Sequence, residues 1–280
     1  NLSIAEDASE QTVSLAGISA GGGESQPLRV MATSSNTGLI PNPAVTYTSA
    51  NATGSIAFTP VTDQTGTATI TVMVEDGGLD NNLSTAGDNA TFSRTFDVTV
   101  NPVNDVPTLD ALSNLSIAED ASEQTVSLAG ITAGGGESQP LRVTASSSST
   151  GLIPNPTVTY TTANATGSLA FTPVADQSGT ATITVTVEDG GLDNNLSTAC
   201  DNATFSRTFD VTVNASNDAP TLDALSNLSI VEDASEQTVN LAGINAGGGE
   251  SQPLRVTASS SSTGLIPNPA VTYTTANATG

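Results

Sequence analysis

Lysine, histidine and tryptophan are absent from this chain of 280 residues, and cysteine occurs once, at Cys200. Without histidine there is no ordinary general base near neutral pH and no supply of the commonest zinc ligand. Without lysine there is no Schiff-base nucleophile, no phosphate-loop cation and no lysine–asparagine isopeptide staple. A lone cysteine makes no intrachain disulfide, and no apolar run approaches the roughly 18 residues of a transmembrane helix. No signal peptide opens the sequence, so a secreted form takes its signal from outside this segment. The five basic residues are all arginine and stand against 28 acids, a formal net charge of -23. Such a surface repels phosphate backbones and anionic headgroups, which excludes nucleic acid as a partner and direct membrane insertion of this segment.

What is present is a repeat. Asn-Leu-Ser-Ile begins at Asn1, at Asn114 and at Asn227, a period of 113 residues. Residues 1–113 and 114–226 differ at 14 positions, so 99 of 113 are identical, and residues 227–280 start a third copy. That period exceeds the 20–50 residues of a solenoid repeat and suits a domain of about 100 residues. The expected division is a first repeat over 1–105, a second over 106–218 and the N-terminal part of a third over 219–280.

Aromatics are 3% of the chain, while Gly and Pro together make 39 of 280 residues, which favours short strands and turns over helices. Within one copy the apolar spacing is two. Ala68, Ile70, Val72 and Val74 share one phase, and Thr67, Thr69, Thr71 and Met73 the other. The same alternation marks Leu2 and Ile4, Val13 and Leu15, Leu28 and Val30, Val45 and Tyr47, Ile56 and Phe58, and Phe96 to Val100. Gly21 to Gly23, Pro41-Asn42-Pro43, Gly54, Gly66 and Gly77-Gly78 punctuate these seven segments. The reading is all-β: tandem Greek-key β-sandwiches of about seven strands each. Differences between copies fall on the outward phase, as at Met31/Thr144 and Met73/Thr186, whereas inward Ile56 changes only to Leu169. Cys200 stands where the first copy has Gly87 and takes no role.

The copies join through Val100-Asn101-Pro102-Val103-Asn104-Asp105-Val106-Pro107 and Val213-Asn214-Ala215-Ser216-Asn217-Asp218-Ala219-Pro220. These junctions resemble the linkers of cadherin and bacterial cadherin-like or immunoglobulin-like repeats, as do Ile4-Ala5-Glu6-Asp7 and Val74-Glu75-Asp76-Gly77-Gly78 with the following Asn82-Leu83-Ser84-Thr85. The resemblance implies calcium at the junctions, since a hard cation takes six to eight oxygens from carboxylates, carbonyls and water. Carried over by position, Glu6, Asp63, Asn104 and Asp105 precede the first junction, and Glu137 and Asp189 follow it. The second set is Glu119, Asp176, Asn217, Asp218 and Glu250. The pattern departs where the first linker acid is Pro102 or Ala215, where the second linker asparagine is missing, and where Gly136-Glu137-Ser138 keeps one acid of a pair. The alternative is a set of solvated turn acids.

Triglycine before Glu24 lacks the lysine of a phosphate loop, and Asp76 and Asp80 recur in each copy without an aromatic sugar platform, so no enzyme is expected. Eleven Asn-x-Ser/Thr sequons, among them Asn51, Asn82, Asn89 and Asn202, leave glycosylation open. The resemblance implies a structural section of an extracellular, cell-surface stalk, fibre or adhesin. Its partners would be neighbouring repeats and identical chains in a filament. The alternative is an adhesin module that binds a glycan or a protein, for which Tyr47, Tyr160 and Tyr273 sit on strand-like positions. Because a half sandwich leaves open edges, the stop at Gly280 leads to the expectation that the chain continues or that a neighbouring chain supplies the missing strands.

Overall fold

The structure is a computed structural model that describes all residues except Ala86, Ala199 and 275–280. Every regular element among the described residues is a strand. The first copy forms β1 (Leu2–Ala5), β2 (Gln11–Ala16), β3 (Leu28–Ser34), β4 (Ala44–Thr46), β5 (Thr53–Phe58), β6 (Gly66–Asp76) and β7 (Thr91–Asn101). The second repeats them as β8 (Leu115–Ala118), β9 (Gln124–Leu128), β10 (Leu141–Ser147), β11 (Thr157–Thr159), β12 (Gly167–Phe171), β13 (Gly179–Asp189) and β14 (Thr204–Asn214). All seven segments read from the alternation are strands, although Tyr47 lies just past the end of β4.

Two compact units result. The first holds Asn1–Thr108 with Thr132–Leu141 and Glu188–Thr204, and the second holds Leu109–Ile131, Arg142–Val187 and Phe205–Gly280. In the first unit one sheet runs β1-β7-β6-β3 and the other β2-β5-β4. All pairings in these two sheets are antiparallel except β1 with β7, which is parallel and places Leu2 opposite Val98 and Ala5 opposite Asn101. The second unit repeats the order as β10-β13-β14-β8 and β11-β12-β9, again with β8 parallel to β14.

Period-two alternation works here because each sheet has one dry face. Ile56 and Phe58 of β5 cluster with Ala68 and Ile70 of β6, Val98 and Val100 of β7, and Leu39 and Ile40 from the β3–β4 connection. Ile40, Ile56, Ala68, Ile70 and Val98 are fully buried, and each isoleucine removed from water contributes roughly 1.5–3 kcal/mol. On the outward phase Met31 and Met73 are direct cross-strand partners, so their joint change to Thr144 and Thr186 replaces one pair by another on the same face. Arg29 also faces its cross-strand partner Glu75 and forms an ion pair with it, while Asn89 donates to the other Glu75 oxygen at 3.1 Å.

The third copy forms no strand among its described residues 227–274. The topology gives the reason. In the first copy β1 pairs with β7, β2 and β4 with β5, and β3 with β6. Residues 227–274 correspond to the β1–β4 half, and counterparts of β5–β7 are not among the described residues. Leu228, Ile230 and Val239 accordingly stand exposed.

Candidate functional site

The acids nearest the end of each copy are drawn together by turns. Chain leaving β1 passes Glu6 and Asp7, and Asp7 takes the left-handed conformation (φ 57°) that aspartate tolerates better than branched residues. Asp63, in the β5–β6 turn, is also left-handed (φ 56°), and its N–H donates to Asp7 Oδ1 at 3.1 Å. Asp105 follows β7. Its N–H donates to Glu137 Oε2 at 3.1 Å, and the Val103 N–H donates to Glu6 Oε1 at 2.7 Å.

Glycine decides how closely the linker seats. Gly134 and Gly135 both have positive φ, and a Cβ on Gly135 would overlap the Asp105 carboxylate. Gly134 and Gly135, the second copy's counterparts of Gly21 and Gly22, thus form a cradle for the linker aspartate. Gly247 and Gly248 repeat it around Asp218.

Carboxylate oxygens of Glu6, Asp105 and Glu137 lie within 4.8 Å of one another, and so do those of Asp7, Asp63 and Asp105. Asp105 is common to both groups. Its Oδ2 is buried without a hydrogen-bond partner among the described residues, as is Oδ2 of Asp218. Asp218 forms a matching group with Asp120 and Asp176, while its N–H donates to Glu250 Oε2 at 3.1 Å. Glu119, buried like Glu6, accepts from the Ser216 N–H.

The remaining expected ligands lie differently. Asp189 is fully buried, and its Oδ1 accepts from the Gly191 and Ala203 N–H groups, both at 2.9 Å. Asn104 donates its amide to both Asp189 oxygens at 3.2 and 3.3 Å and accepts from Gln139 Nε2 at 2.7 Å. This pair ties the linker to a loop rather than joining the three-acid groups. Asn217 likewise accepts from Gln252 Nε2 at 2.7 Å, but its amide donates to the Asp218 carbonyl. Replacing Asp189 by alanine should lower stability by roughly 1.5–3 kcal/mol, because two backbone donors and the Asn104 amide lose a charged acceptor. Denaturant titration of the single variant measures it, and an unchanged midpoint removes the tie.

Sequence reasoning missed Asp7 and Asp120. The signal was present in the twice-repeated Glu-Asp pair after the first strand, but only the left-handed turn shows that both neighbours face the same cluster.

Crowding like charges in a half-dry site disfavours ionisation. Burial, reinforced by the Asp63 and Asp7 charges, raises Asp105 above the ordinary aspartate range. Burial also raises Glu137, against hydrogen bonds from Asp105 and Gln139 that favour its charged form. Asp218 is raised by desolvation and then by Asp120, Asp176, Glu250 and Glu119. An acid whose folded pKa is raised destabilises the fold above that pKa and ceases to do so below its unfolded value. With chelator present, the melting temperature should therefore rise as pH falls from about 7 toward 5. Glu75, held low by Arg29 and Asn89, works in the opposite sense only at more acid pH. A melting temperature that falls over the whole interval excludes this electrostatic origin.

An oxygen-only donor set, a shared central aspartate and an orphaned buried oxygen fit a hard divalent cation of the calcium type. Asp105 with Glu6, Glu137, Asp7 and Asp63 would hold it in the first unit, and Asp218 with Asp120 and Asp176 in the second.

No family model matches the chain, and no curated protein does. Among solved structures, domains 4–9 of the surface layer protein SbsC align over 83% of this chain and 31% of theirs, at 18% identity and a TM-score of 0.31. Extracellular cadherin domains 3–6 of protocadherin gamma B2 align over 78% of this chain and 54% of theirs, at 14% identity and a TM-score of 0.36. An endo-fucoidan hydrolase of glycoside hydrolase family 107 aligns over 77% of this chain and 28% of its own, at 16% identity and a TM-score of 0.29. The chain thus spans between about a quarter and a half of these molecules. The cadherin and surface-layer chains are distant tandem β-sandwich arrays, and likeness this loose does not extend to function.

Proposed function

We propose that this chain is a structural section of an extracellular stalk or fibre, built from β-sandwich copies whose junctions are stiffened by calcium. The observation that carries the reading is recurrence. Two copies identical at 99 of 113 positions fold into the same pair of sheets, and each ends in an aspartate seated in a diglycine cradle beside two further aspartates. A site repeated with every copy suits a spacer, whose length scales with copy number. Each full copy carries 12 acids and 2 arginines, a net charge of about -10, and a divalent ion at the crowded carboxylates offsets part of the repulsion among them.

The binding-module alternative gains nothing from Tyr47. Tyr47 is half-buried against the Ile18, Leu28 and Val30 cluster, and its hydroxyl donates to the Asn51 carbonyl at 3.1 Å. No flat aromatic platform is left there for a sugar ring.

Small-angle scattering and calorimetry of the 280-residue polypeptide, in millimolar calcium and then in chelator, test the proposal. Binding heat with longer, narrower dimensions in calcium is the expected result. No heat and unchanged dimensions would defeat the calcium element. Retention of the chain on a glycan array, in proportion to copy number, would favour the binding module instead.

A further inference from the structure

Nine Asn-x-Ser/Thr sequons start within the first two copies, and folding does not treat them alike. Seven have their side chain tied into the fold. Asn89 and Asn202 donate to Glu75 and Glu188 at 3.1 and 3.2 Å, and the Oδ1 of each is buried. Asn214 donates twice, to the Ser116 hydroxyl at 2.8 Å and to the Ile117 carbonyl at 3.0 Å. Asn82 and Asn195 accept from the Ser84 and Ser197 N–H groups of their own loops, both at 3.0 Å. Asn1 and Asn114 accept from the Asp97 and Asp210 N–H groups at 3.2 and 2.9 Å.

Asn51 and Asn164 are the two that remain. Both are exposed, as are the alanine and threonine that complete each sequon, and neither carboxamide has a hydrogen-bond partner among the described residues. Their backbone is fixed instead. The Asn51 N–H donates to the Thr48 carbonyl, its own carbonyl accepts from the Tyr47 hydroxyl, and the Ala52 carbonyl accepts from the Ile18 N–H, each at 3.1 Å. In the second copy Asn164 and Ala165 make the matching main-chain bonds to Thr161 and Ile131, also at 3.1 Å. Ala50 and Ala163 take positive φ, 74° and 70°, at a turn position that glycine or asparagine ordinarily fills. Each copy thus spends backbone strain on a rigid turn that leaves the next asparagine side chain free.

We infer that Asn51 and Asn164 are N-glycosylation sites of the folded domains, accepting a sugar from a glycosyl diphosphate donor. In the transfer Nδ2 attacks the anomeric carbon, and the new C–N bond forms as the bond from that carbon to the diphosphate oxygen breaks. The electron pair leaves with the diphosphate, and one amide proton passes to a base of the transferase. To act as a nucleophile the amide nitrogen must give up conjugation with its carbonyl, and a free carboxamide twists most readily. A hydrogen bond accepted at Oδ1 deepens that conjugation, and one donated from Nδ2 must first be broken. The other seven sequons carry one or the other handicap. At Asn51 the product also fits the rest of the domain, because the six residues of β5 hold this turn roughly 20 Å from the Asp63 turn, which leaves the acid groups uncovered. The inference shares with the proposed function only an extracellular location.

The test incubates the folded 280-residue polypeptide with an oligosaccharyltransferase and a lipid-linked oligosaccharide diphosphate, beside short synthetic peptides of the same sequons. Occupied asparagines are read by mass spectrometry after enzymatic deglycosylation in heavy-oxygen water, which turns each into a labelled aspartate. On the folded chain, occupancy at Asn51 and Asn164 should exceed that at Asn89, Asn202 and Asn214 at least tenfold, and among the peptides this preference should vanish. Thr53→Ala and Thr166→Ala remove the hydroxyl that completes each sequon on an exposed side chain, so each should lose its own site with an unchanged melting temperature. Thr53→Ser should keep the Asn51 site. A folded chain that stays unmodified at Asn51 and Asn164 while the peptides are accepted overturns the assignment. Equal occupancy at Asn89, Asn202 and Asn214 on the folded chain overturns it as well, since the fold would then not select among the sequons.

Discussion

Raising free calcium from chelator-held traces to about 10 mM should lift the first unfolding transition of the 280-residue polypeptide by on the order of 10 °C. Extracellular calcium modules bind with dissociation constants on the order of 10⁻⁴ to 10⁻³ M, so about 10 mM is a roughly ten- to hundredfold excess and stabilises the folded state by about 1.4–2.7 kcal/mol per site. Each kcal/mol shifts the melting point of a domain this size by roughly 4–8 °C. Asp105 makes the prediction specific, because it belongs to both acid groups of the first unit. In Asp105→Asn one of the crowded charges is gone, so the variant should melt higher than wild type in chelator and respond less to calcium. Opposite signs in the two media are hard to obtain from a merely structural aspartate. Equal melting curves for wild type with calcium and with chelator would remove the ion from the account.

Phe209→Ala and Phe96→Ala should separate two copies that are nearly identical in sequence. Phe209 is 2% exposed, and its truncation should cost about 3–5 kcal/mol through lost burial and the cavity left behind. Phe96 occupies the same position of the repeat but is only half-buried, so its truncation should cost roughly half as much. Two transitions in a calorimetric scan, only the second unit's moving strongly in Phe209→Ala, are the expected outcome. Equal losses at both positions would mean that the two copies do not differ in burial at this position as the structure has it.

The strand faces were legible because a sheet with one wet side writes its geometry into every second residue. Ala68 and Ile70 could be assigned from Thr67 and Thr69 alone. The parallel partnership of β1 with β7 had no such local mark, since it joins residues 96 positions apart such as Leu2 and Val98. The acid groups were half legible. Asp105 and Asp218 announced themselves as the acids of the junctions, but Asp7 and Asp120 enter only through left-handed turns, and a turn's handedness is not written in residue spacing. Asp189 entered the expected ligands through the family resemblance, and at the end of β13 its oxygens accept from Gly191, Ala203 and Asn104, partners that no residue spacing announces. The glycine run carried no mark of its role: as punctuation between strands it serves any turn, and only the Asp105 carboxylate against Gly135 shows what it shelters.

The parallel ladder between β1 and β7 bears on what happens under tension. Leu2, Ser3, Ile4 and Ala5 pair with Val98, Thr99, Val100 and Asn101, and the first strand of the copy is thereby bonded to its last. Pulling the two ends of a copy apart drags these strands past each other along their length. The cross-strand hydrogen bonds then carry the load together, instead of opening one at a time as a peeled antiparallel edge would. Asn101 reinforces this clamp, donating its amide to the Ser3 hydroxyl at 2.7 Å and to the Ile4 carbonyl at 3.0 Å. Asn214 repeats the arrangement on Ser116 and Ile117. A row of such copies yields by rupture of one clamp after another, each at a force set by its unfolding barrier rather than by its equilibrium stability.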